Sequence, residues 1–290
     1  MYEINNKIQA ASHSGAKLRV ENVNNEYMVI KTITQSIPRN YEAILKQQQF
    51  LSLPTPTYTI SSIPVKNVQK DDSRLLVSMP YIEGLGGEQI AYKGSKAVAK
   101  NLKQALNFYI INSISESIDG TYPISGVINK ISDIKLKLEG KWVQFPNLKR
   151  YIQEYEAYCV SDLKLPLGTC HGDLTLSNIK VTEDNRLMLF DFLECEINSP
   201  LQDAAKLIQD FEYGWSFRKE KESARIKGDI FCEFAKPTFL STLKRLYPYE
   251  MKVIEMLTLL RIAPYIQEHD TITIEWFNRV ITQSIKKITG

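Results

Sequence analysis

The sequence contains few cysteines, and their arrangement predicts neither a disulfide framework nor a metal site. Four thiols are scattered among 290 residues without any C-x-x-C pair, at Cys159, Cys170, Cys195 and Cys232. This spacing argues against a disulfide-stapled secreted domain and against a zinc ribbon, and it is typical of reduced thiols. We therefore expect a cytoplasmic protein.

Long apolar runs and a strong excess of one charge are also missing. No stretch of about 18 apolar residues is present, so no membrane span is expected. Residues 1–6 lack the charged region followed by an apolar region that is typical of a signal peptide. The 36 Lys and Arg residues nearly balance the 33 Asp and Glu residues, for a formal charge of +3. Because these charges are interspersed, a nucleic-acid partner is not expected. The length suits about two lobes.

One polar segment stands out against this background. Residues 171–178 read HGDLTLSN, and Asp191 follows Asn178 by thirteen positions, at the end of an apolar run. Phosphoryl transfer needs an Asp that receives a hydroxyl proton, together with Asn and Asp ligands for a metal that bridges phosphates. Asp173, Asn178 and Asp191 match these roles in type and spacing. The segment therefore predicts an ATP-dependent kinase.

The same segment predicts a hairpin. Cys170 and His171 would end one short strand, residues 179–181 would form the next, and residues 182–185 are a polar turn before a third strand at 186–190. Asn178 and Asp191 would then lie at opposite ends of one two-stranded ribbon. The alternative is a plain turn in which Asp173 caps a helix, but the position of Asp191 at a strand end favours the catalytic interpretation.

His-Gly-Asp in place of His-Arg-Asp resembles the aminoglycoside phosphotransferase and choline kinase families, small-molecule kinases with a protein-kinase-like fold. The resemblance implies an α+β, bilobal fold: a β-rich N-terminal lobe at 1–83 that clamps the nucleotide, and a mainly helical C-terminal lobe at 84–290 with the catalytic loop and acceptor site. It also implies ATP and Mg²⁺ as cofactors, Asp173 as the base, and Asn178 and Asp191 as metal ligands. The order Asp191-Phe192-Leu193-Glu194 lacks the glycine of protein kinases, which favours a fixed small-molecule site.

Further elements of the helical lobe follow from pattern and resemblance. Residues 199–205, SPLQDAA, resemble the Pro-x-x-x-Asp-hydrophobic element of the family, in which Asp203 would brace the structure through backbone groups or His171. Ser95 is predicted to cap a helix, and Asn147 is predicted to begin another.

The N-terminal lobe should supply the nucleotide clamp. Two β-rich runs, 17–20 and 27–31, end in Lys31, which looks like the family's phosphate-binding lysine. A helix is predicted over 38–51, with Pro38 in its first turn. Glu42 on this helix is nominated as the partner of Lys31. The alternatives are an exposed strand-end lysine and a solvated glutamate at a helix start.

Two backbone segments would complete the nucleotide site. Amides around Ser14 and Gly15 could cradle phosphates, although this loop has one glycine where protein kinases have three, and a plain hairpin turn is the alternative. Residues 74–84 look like the hinge between the lobes. Because Pro80 lacks an N–H, adenine would contact the Met79 carbonyl and the Tyr81 or Ile82 amide.

The acceptor is the least determined part of the prediction. Aminoglycosides are polycations, and the slightly basic chain argues against an antibiotic-resistance role. Glu194, with Glu196, Asp210 and Glu212, could form an acidic patch for an amine, or these could be ordinary solvated carboxylates. Tyr213 and Trp215 could stack on a sugar or cage an ammonium, or lie in a buried loop. The resemblance favours a small-molecule hydroxyl substrate: a sugar, amino sugar or amino alcohol, with a surface-glycan precursor as one example.

Two alternative functions stay open. A non-catalytic, pseudokinase-type nucleotide-binding module would retain the fold, but the presence of Lys31, Asp173, Asn178 and Asp191 counts against it. A protein kinase is less expected, because the chain from Asp191 to Asp203 is too short for an activation segment and a peptide platform.

Overall fold

The strands are concentrated before the predicted hinge and around the predicted catalytic segment. The computed structural model describes residues 16–289. In chain order its strands are β1 (Lys17–Val23), β2 (Glu26–Ile33), β3 (Leu53–Pro54), β4 (Thr59–Ser62), β5 (Asn67–Lys70), β6 (Leu75–Pro80), β7 (Leu85–Gly86), β8 (Ile118–Tyr122), β9 (Leu163–Leu167), β10 (Ile179–Val181) and β11 (Arg186–Leu189).

The first sheet is antiparallel, with the strand order β1, β2, β6, β5. A tight turn joins β1 to β2 with positive φ at Asn24 and Asn25, a conformation that asparagine tolerates in two-residue hairpins. Lys31 lies on β2 opposite Val77 of β6, so it belongs to a central strand. The two predicted strands around residues 17–20 and 27–31 are confirmed.

The second sheet combines strands from both sides of the hinge, in the order β3, β4, β11, β10, β7. β4 runs parallel to β11, with Thr59 opposite Arg186 and Ser62 opposite Leu189. The hairpin of β10 and β11 forms where it was predicted. The proposed division between residues 83 and 84 therefore separates strands that share one sheet.

One predicted strand boundary is wrong. β9, which pairs with β8, ends at Leu167 and does not extend to Cys170 and His171. The reason is that the amides of His171 and Gly172 bond a side chain instead of a neighbouring strand. The predicted catalytic segment is consequently a loop on both sides of Asp173.

Helices make up most of the remaining chain. They are α1 (Ile37–Gln49), α2 (Glu88–Lys93), α3 (Lys96–Ser115), α4 (Ile124–Lys137), α5 (Leu148–Tyr158), α6 (Pro200–Phe211), α7 (Glu222–Ala235), α8 (Phe239–Leu246), α9 (Pro248–Leu260) and α10 (Thr271–Thr289). Ser95 Oγ accepts a hydrogen bond from the Val98 amide at 3.2 Å, which confirms the predicted cap of α3. The predicted α+β fold, with sheets first and helices later, is confirmed.

The centre of the helical part is α6, of which every residue is buried. A burial of this kind requires partners for each polar side chain on the helix, since an unpaired buried polar group is costly. A smaller apolar cluster lies between α1 and the first sheet and includes Ile33, Ile44, Leu75, Val77 and Met79. Within residues 16–289, no helix is both long enough and apolar enough to cross a membrane.

Candidate active site

The loop that carries Asp173 is held by a buried carboxylate on α6. Asp203 Oδ2 and Oδ1 accept hydrogen bonds of 2.7 Å from the amides of His171 and Gly172 respectively. The Tyr109 hydroxyl on α3 donates to Asp203 Oδ2 at 2.8 Å. Burial, with the neighbouring carboxylate, raises the pKa of Tyr109 well above its ordinary value, so the phenol remains a donor. Asp203 has the contacts that a structural brace of this loop requires.

The turn at Gly172 has no room for a side chain. Its φ is +89°, and a Cβ at this position would collide with Cys195 Sγ and the Leu193 carbonyl. Glycine is therefore required both by the left-handed backbone and by the close approach. This contact holds the catalytic loop against the segment that follows Asp191.

His171 is fully buried and has a structural environment. Its Nδ1 accepts a hydrogen bond of 3.2 Å from the Asp173 amide, and its Nε2 lies 3.0 Å from the Phe190 carbonyl. Because a carbonyl only accepts, this network assigns the proton to Nε2 and leaves the ring neutral. Burial lowers the pKa of His171 in spite of nearby carboxylates. The imidazole thus links the catalytic loop to the chain that leads to Asp191.

Asp173 forms an ion pair with a lysine on α6. Lys206 Nζ lies 2.9 Å from Asp173 Oδ1, and Asn178 Nδ2 donates to Asp173 Oδ2 at 2.8 Å. Lys206 is 8% exposed, and its other partner is Gln209 Oε1 at 3.2 Å. Burial opposes ionisation of Asp173, but the attraction of Lys206 outweighs it and lowers the pKa of this carboxyl. Asp173 is therefore ionised at neutral pH, as a base for a hydroxyl proton must be.

Asn178 and Asp191 lie at the same end of the β10–β11 hairpin. Ile179 is opposite Leu189 in the register, and next to this pair the Phe190 amide donates to the Asn178 carbonyl at 3.2 Å. The prediction that the two residues lie at opposite ends of the ribbon is wrong, because the chain enters β10 beside the place where it leaves β11. At this shared end the side-chain amide of Asn178 and the carboxylate of Asp191 lie beside two neighbouring strands.

Asp191 is paired with the lysine of β2. Lys31 Nζ lies 2.8 Å from Asp191 Oδ1, across 160 positions of sequence. The φ of Asp191 is +58°, in the left-handed region that Asp and Asn tolerate better than most residues. The lysine predicted to bind phosphate and the aspartate predicted to bind metal are thus in contact with each other. Ser14 and Gly15, predicted to cover the phosphates, lie outside the described residues.

The predicted pairing of Glu42 with Lys31 does not form. Glu42 is exposed on α1 and lines a cleft of about 550 Å³ that it shares with Lys46 and Glu194. The inward face of α1 is formed by other residues, and Gln47 on that face donates to the Ile63 carbonyl at 2.7 Å. The helix is therefore rotated so that no acidic side chain of α1 reaches the strand lysine.

The hinge presents different backbone groups from those predicted. The Tyr81 amide donates to the Tyr27 carbonyl at 2.7 Å, and Met79 lies two residues earlier in the same ladder with β2. These groups are used within the sheet, which corrects the prediction that the Met79 carbonyl and Tyr81 amide contact adenine. Because backbone groups alternate along a strand, the Pro80 carbonyl and the Ile82 amide point away from β2.

A lysine of β10 also reaches the hinge. Lys180 Nζ donates to the Ile82 carbonyl at 2.6 Å and lies 5.0 Å from the centre of the Tyr81 ring. Burial lowers the pKa of Lys180, and the nearby carboxylate of Glu83 opposes this effect. A cation two residues after Asn178 therefore fixes the hinge to the catalytic hairpin.

The carboxylates proposed as an acidic acceptor patch are dispersed. Glu194 lines the cleft beside α1, and Glu196 pairs with Lys130 at 2.6 Å. Asp210 is fully buried and accepts hydrogen bonds from two backbone amides. Glu212 is surrounded by the ammonium groups of Lys236, Lys244 and Lys287. The patch does not exist because each carboxylate has a partner or faces elsewhere.

Asp210 connects the catalytic loop to the chain after α6. It accepts hydrogen bonds from the Leu176 amide and, at 2.7 Å, from the Ser216 amide. The hydroxyls of Ser216 and Ser177 are 2.8 Å apart, which adds a second link between the same segments. Burial raises the pKa of Asp210 to about 6, against the effect of the two amide donors.

The aromatic residues predicted to contact the acceptor are covered by protein groups. Tyr213 is 8% exposed, and its hydroxyl accepts a hydrogen bond of 2.8 Å from Lys287 Nζ. The Arg218 guanidinium lies 3.5 Å from the centre of the Trp215 ring, with Trp276 at 5.2 Å. Since a cation already covers this ring, Trp215 offers no open face to an amine there.

The donor set at the hairpin fits Mg²⁺. Within residues 16–289, no group of three or more His, Cys, Asp and Glu side chains is arranged to hold a metal. Mg²⁺ commonly binds through one or two protein oxygen ligands, keeps several waters and takes its other ligands from phosphates. Asn178 and Asp191 provide such a set, so they suit an ion that arrives with a nucleotide.

Two residues of the site, Tyr109 and Lys206, were not found by sequence reasoning, and Asp210 was considered only as part of an acidic acceptor patch. Lys206 and Asp210 follow Asp203 by three and seven positions, the spacing of one helical face. Charged residues recurring at this spacing in a helix rich in apolar residues were a usable signal. Tyr109 lies on a helix far away in sequence, and its local sequence carries no corresponding signal.

The braced loop with Asp173, the hairpin with Asn178 and Asp191, and the strand lysine together define a kinase-type phosphotransferase. Residues 135–232, which include this loop and hairpin, match the model of the phosphotransferase enzyme family, APH. The predicted resemblance to small-molecule kinases is thereby confirmed. A search of curated proteins gives no match.

Solved structures show the same fold over nearly the whole chain. Aminoglycoside phosphotransferase APH(4)-Ia, as a thermostable mutant in a ternary complex with ADP and hygromycin B, has a TM-score of 0.54 at 12% identity, covering 98% of both chains. ADP-bound APH(2'')-Ib has a TM-score of 0.51 at 15% identity, covering 99% of this chain and 98% of that one. Choline kinase LicA from Streptococcus pneumoniae has a TM-score of 0.52 at 14% identity, covering 98% and 99%. At these identities the likeness establishes the fold alone.

Proposed function

We propose that this protein transfers the γ-phosphate of ATP to a hydroxyl group of a small molecule. The observation that carries the proposal is the environment of Asp173, whose two carboxylate oxygens are held by Lys206 and Asn178 on a braced loop. A carboxylate fixed in this way and kept ionised can orient a hydroxyl and accept its proton as the new O–P bond forms. Asp173 is therefore the proposed base.

Asn178 and Asp191 are the proposed ligands of Mg²⁺. When bound, this ion would neutralise charge on the phosphate oxygens. Lys31 is the proposed phosphate-binding lysine, since it lies against Asp191 at the same end of the hairpin. Binding of the nucleotide would exchange the Lys31–Asp191 pair for contacts of both residues with the ligand. The ADP-bound kinases of the same fold support a nucleotide site.

The proposed adenine contacts are the Pro80 carbonyl and the Ile82 amide. Both point away from β2, and a carbonyl and an amide two residues apart match the donor and acceptor edge of adenine. The segment between Asp191 and α6 is only eight residues long, 192–199. A segment this short supports a small-molecule acceptor over a protein substrate. The four free, buried cysteines fit a cytoplasmic site of action.

The test is Mg²⁺-dependent ADP release over a panel of sugars, amino sugars, amino alcohols and their acidic analogues. Asp173→Asn should abolish transfer, by about 100-fold or more, while leaving nucleotide affinity within a few-fold. Asp229→Asn, an exposed aspartate on α7, is the matched control and should be fully active. Tight nucleotide binding without turnover on any acceptor would instead favour the pseudokinase-type module.

A further inference from the structure

Lys180 lies beside the hinge backbone and binds one of its carbonyl groups. Its Nζ donates to the Ile82 carbonyl at 2.6 Å. Lys180 is opposite Gly86 in the pairing of β10 with β7. A Cβ at Gly86 would lie 3.3 Å from Lys180 Cε, and a Cβ at Gly84 would lie 3.1 Å from Lys180 Cγ. The two glycines therefore leave room for the lysine stem beside β7, so that the ammonium group reaches the hinge.

Three backbone groups of the hinge lie on the side turned away from β2. The first is the Pro80 carbonyl. The other two are the amide and the carbonyl of Ile82, because both polar groups of one residue in an extended chain point to the same side. The Ile82 amide makes no hydrogen bond within residues 16–289. In chain order the hinge thus presents an acceptor, an unpaired donor, and an acceptor that Lys180 already occupies.

The first two of these groups match adenine and oppose guanine. Adenine has an amino donor at N6 and an acceptor at N1, which fit the Pro80 carbonyl and the Ile82 amide. Guanine has an acceptor at O6 and a donor at N1. In the same position, guanine would place O6 against the Pro80 carbonyl and its N1–H against the Ile82 amide. Both contacts are repulsive, so guanine could bind only after a shift along the hinge.

The shifted position requires the carbonyl that Lys180 occupies. After a shift by one group, guanine O6 would accept from the Ile82 amide, and the guanine N1–H and 2-amino group would need the Ile82 carbonyl. This oxygen already accepts a short, charge-assisted hydrogen bond from Lys180. It keeps a second lone pair, but a guanine N–H that approached it would lie beside a positive charge. Adenine places only its C2–H near this carbonyl and therefore does not need it.

We propose that Lys180 is a specificity-determining residue, which makes the hinge bind adenine nucleotides in preference to guanine nucleotides by occupying the Ile82 carbonyl. The ring of Tyr81, whose centre lies 5.0 Å from Lys180 Nζ, helps to hold the ammonium group at this place. The inference rests on the proposed phosphotransferase function, and it names the residue that selects the base of the nucleotide at that site.

The first experiment compares three nucleotides on the wild-type protein. ATP, GTP and ITP are titrated in the presence of Mg²⁺ and without an acceptor, and each Kd is measured by calorimetry. We expect GTP and ITP to bind about 10- to 100-fold more weakly than ATP. The hypoxanthine base of ITP has O6 and N1–H but lacks the 2-amino group, so it separates the effect of the N1–H donor from the bulk of that group. The measurement does not require the acceptor to be known.

The second experiment removes the ammonium group. Lys180→Met keeps an apolar stem of similar length, and it should lower the ratio of the GTP Kd to the ATP Kd by about tenfold. The change should come chiefly from tighter binding of GTP, because the Ile82 carbonyl is then free. Lys180→Arg keeps a cation and should leave the ratio within about threefold of wild type. Lys164→Met, at an exposed lysine on β9, is the matched control and should leave both Kd values unchanged.

The outcomes separate this inference from the proposed function. A wild-type protein that binds GTP as tightly as ATP overturns the inference and leaves the kinase proposal in place. Tight binding of ITP does the same, because the 2-amino group alone would then exclude GTP.

A purely structural role of Lys180 would give a different result. Lys180→Met would then weaken the binding of ATP and GTP by the same factor, and the unchanged ratio would overturn the inference. If Lys180→Met does not fold, the wild-type comparison of ATP, GTP and ITP still tests the inference. Failure of every nucleotide to bind overturns both the inference and the proposed function.

Discussion

Asp203 and Asp210 lie two helical turns apart on one face of α6, and both accept hydrogen bonds from backbone amides of the loop that carries Asp173. Asp203 accepts hydrogen bonds from the amides of His171 and Gly172, and Asp210 accepts one from the amide of Leu176. A single buried helix therefore fixes both ends of the loop. Lys206, which lies between the two carboxylates on α6, contacts Asp173, the proposed base.

Because Asp203 braces the loop, we expect Asp203→Asn to lower the stability of the fold considerably. An amide can accept from one of the two backbone donors, but its NH₂ group would face the other donor. We expect a loss of about 3 kcal/mol in the free energy of unfolding. Tyr109→Phe removes one donor to the same carboxylate and should cost about 1 kcal/mol. Urea unfolding of both variants measures this, and an Asp203→Asn variant as stable as wild type would contradict the brace.

Lys206→Met should change the pH dependence of catalysis. Without the ammonium, Asp173 is a buried carboxylate whose main attraction is gone, so its pKa should rise. The base must be ionised, so the acid limb of the kcat/KM profile should move to higher pH, with kcat at neutral pH falling about 10- to 100-fold. Lys206→Arg should keep the acid limb nearer its original position. An unshifted profile in Lys206→Met would show that the ion pair does not set the protonation of Asp173.

Gly172→Ala tests the contact between the catalytic loop and Cys195. The added methyl group would meet Cys195 Sγ and the Leu193 carbonyl on a backbone with positive φ. We expect a loss of about 2–4 kcal/mol in stability and a matching loss of activity. Adding Cys195→Ala should recover part of the loss by removing the sulfur. Full recovery would mean that backbone strain at residue 172 is negligible.

The lysines around Glu212 predict that this residue contributes to the stability of the fold in a pH-dependent way. Burial opposes its ionisation, but hydrogen bonds and attraction from Lys236 and Lys244 lower its pKa from 4.5 to about 2. A carboxyl whose pKa is lower in the folded state stabilises the fold above its unfolded pKa, and this stability is lost as the pH falls toward the folded pKa. Glu212→Gln should therefore cost about 2–3 kcal/mol near neutral pH, with the difference shrinking between about pH 4.5 and pH 2.

Urea unfolding at several pH values measures this difference. Glu233→Gln, an exposed glutamate on α7, provides the matched control and should change stability little at any pH. If the cost of Glu212→Gln were the same near pH 3 as near pH 7, the lysine cluster would not be the source of the stabilisation.

Local patterns were sufficient to predict much of the site. The spacing of Asp173, Asn178 and Asp191 in a loop followed by a hairpin is readable because only the short turn 182–185 joins the two strands. The hinge strand and the start of α1, predicted at Pro38 and observed at Ile37, were also readable, since proline and β-rich runs act locally. These predictions required no knowledge of packing between distant segments.

The partners of charged groups could not be predicted in the same way. Lys31 pairs with Asp191 across 160 positions, and the rotation of α1 about its axis decides that Glu42 is not its partner. The pairing of Lys206 with Asp173 depends on how α6 packs beneath the loop. The sequence could not decide between the Tyr81 and Ile82 amides at the hinge, because strand register, which selects the groups that face β2, is a tertiary property.

The sharing of the second sheet between the two parts of the chain has a consequence for motion. The chain passes from the first sheet to the second between β2 and β3, returns to the first between β4 and β5, and passes to the second again between β6 and β7. Three covalent crossings, rather than one flexible joint, therefore restrain rotation of Lys31 relative to Asp173. We therefore expect substrate and product to exchange through small tilts of the first sheet about an axis through these crossings. Such tilts would change the distance between Lys31 and Asp173 very little.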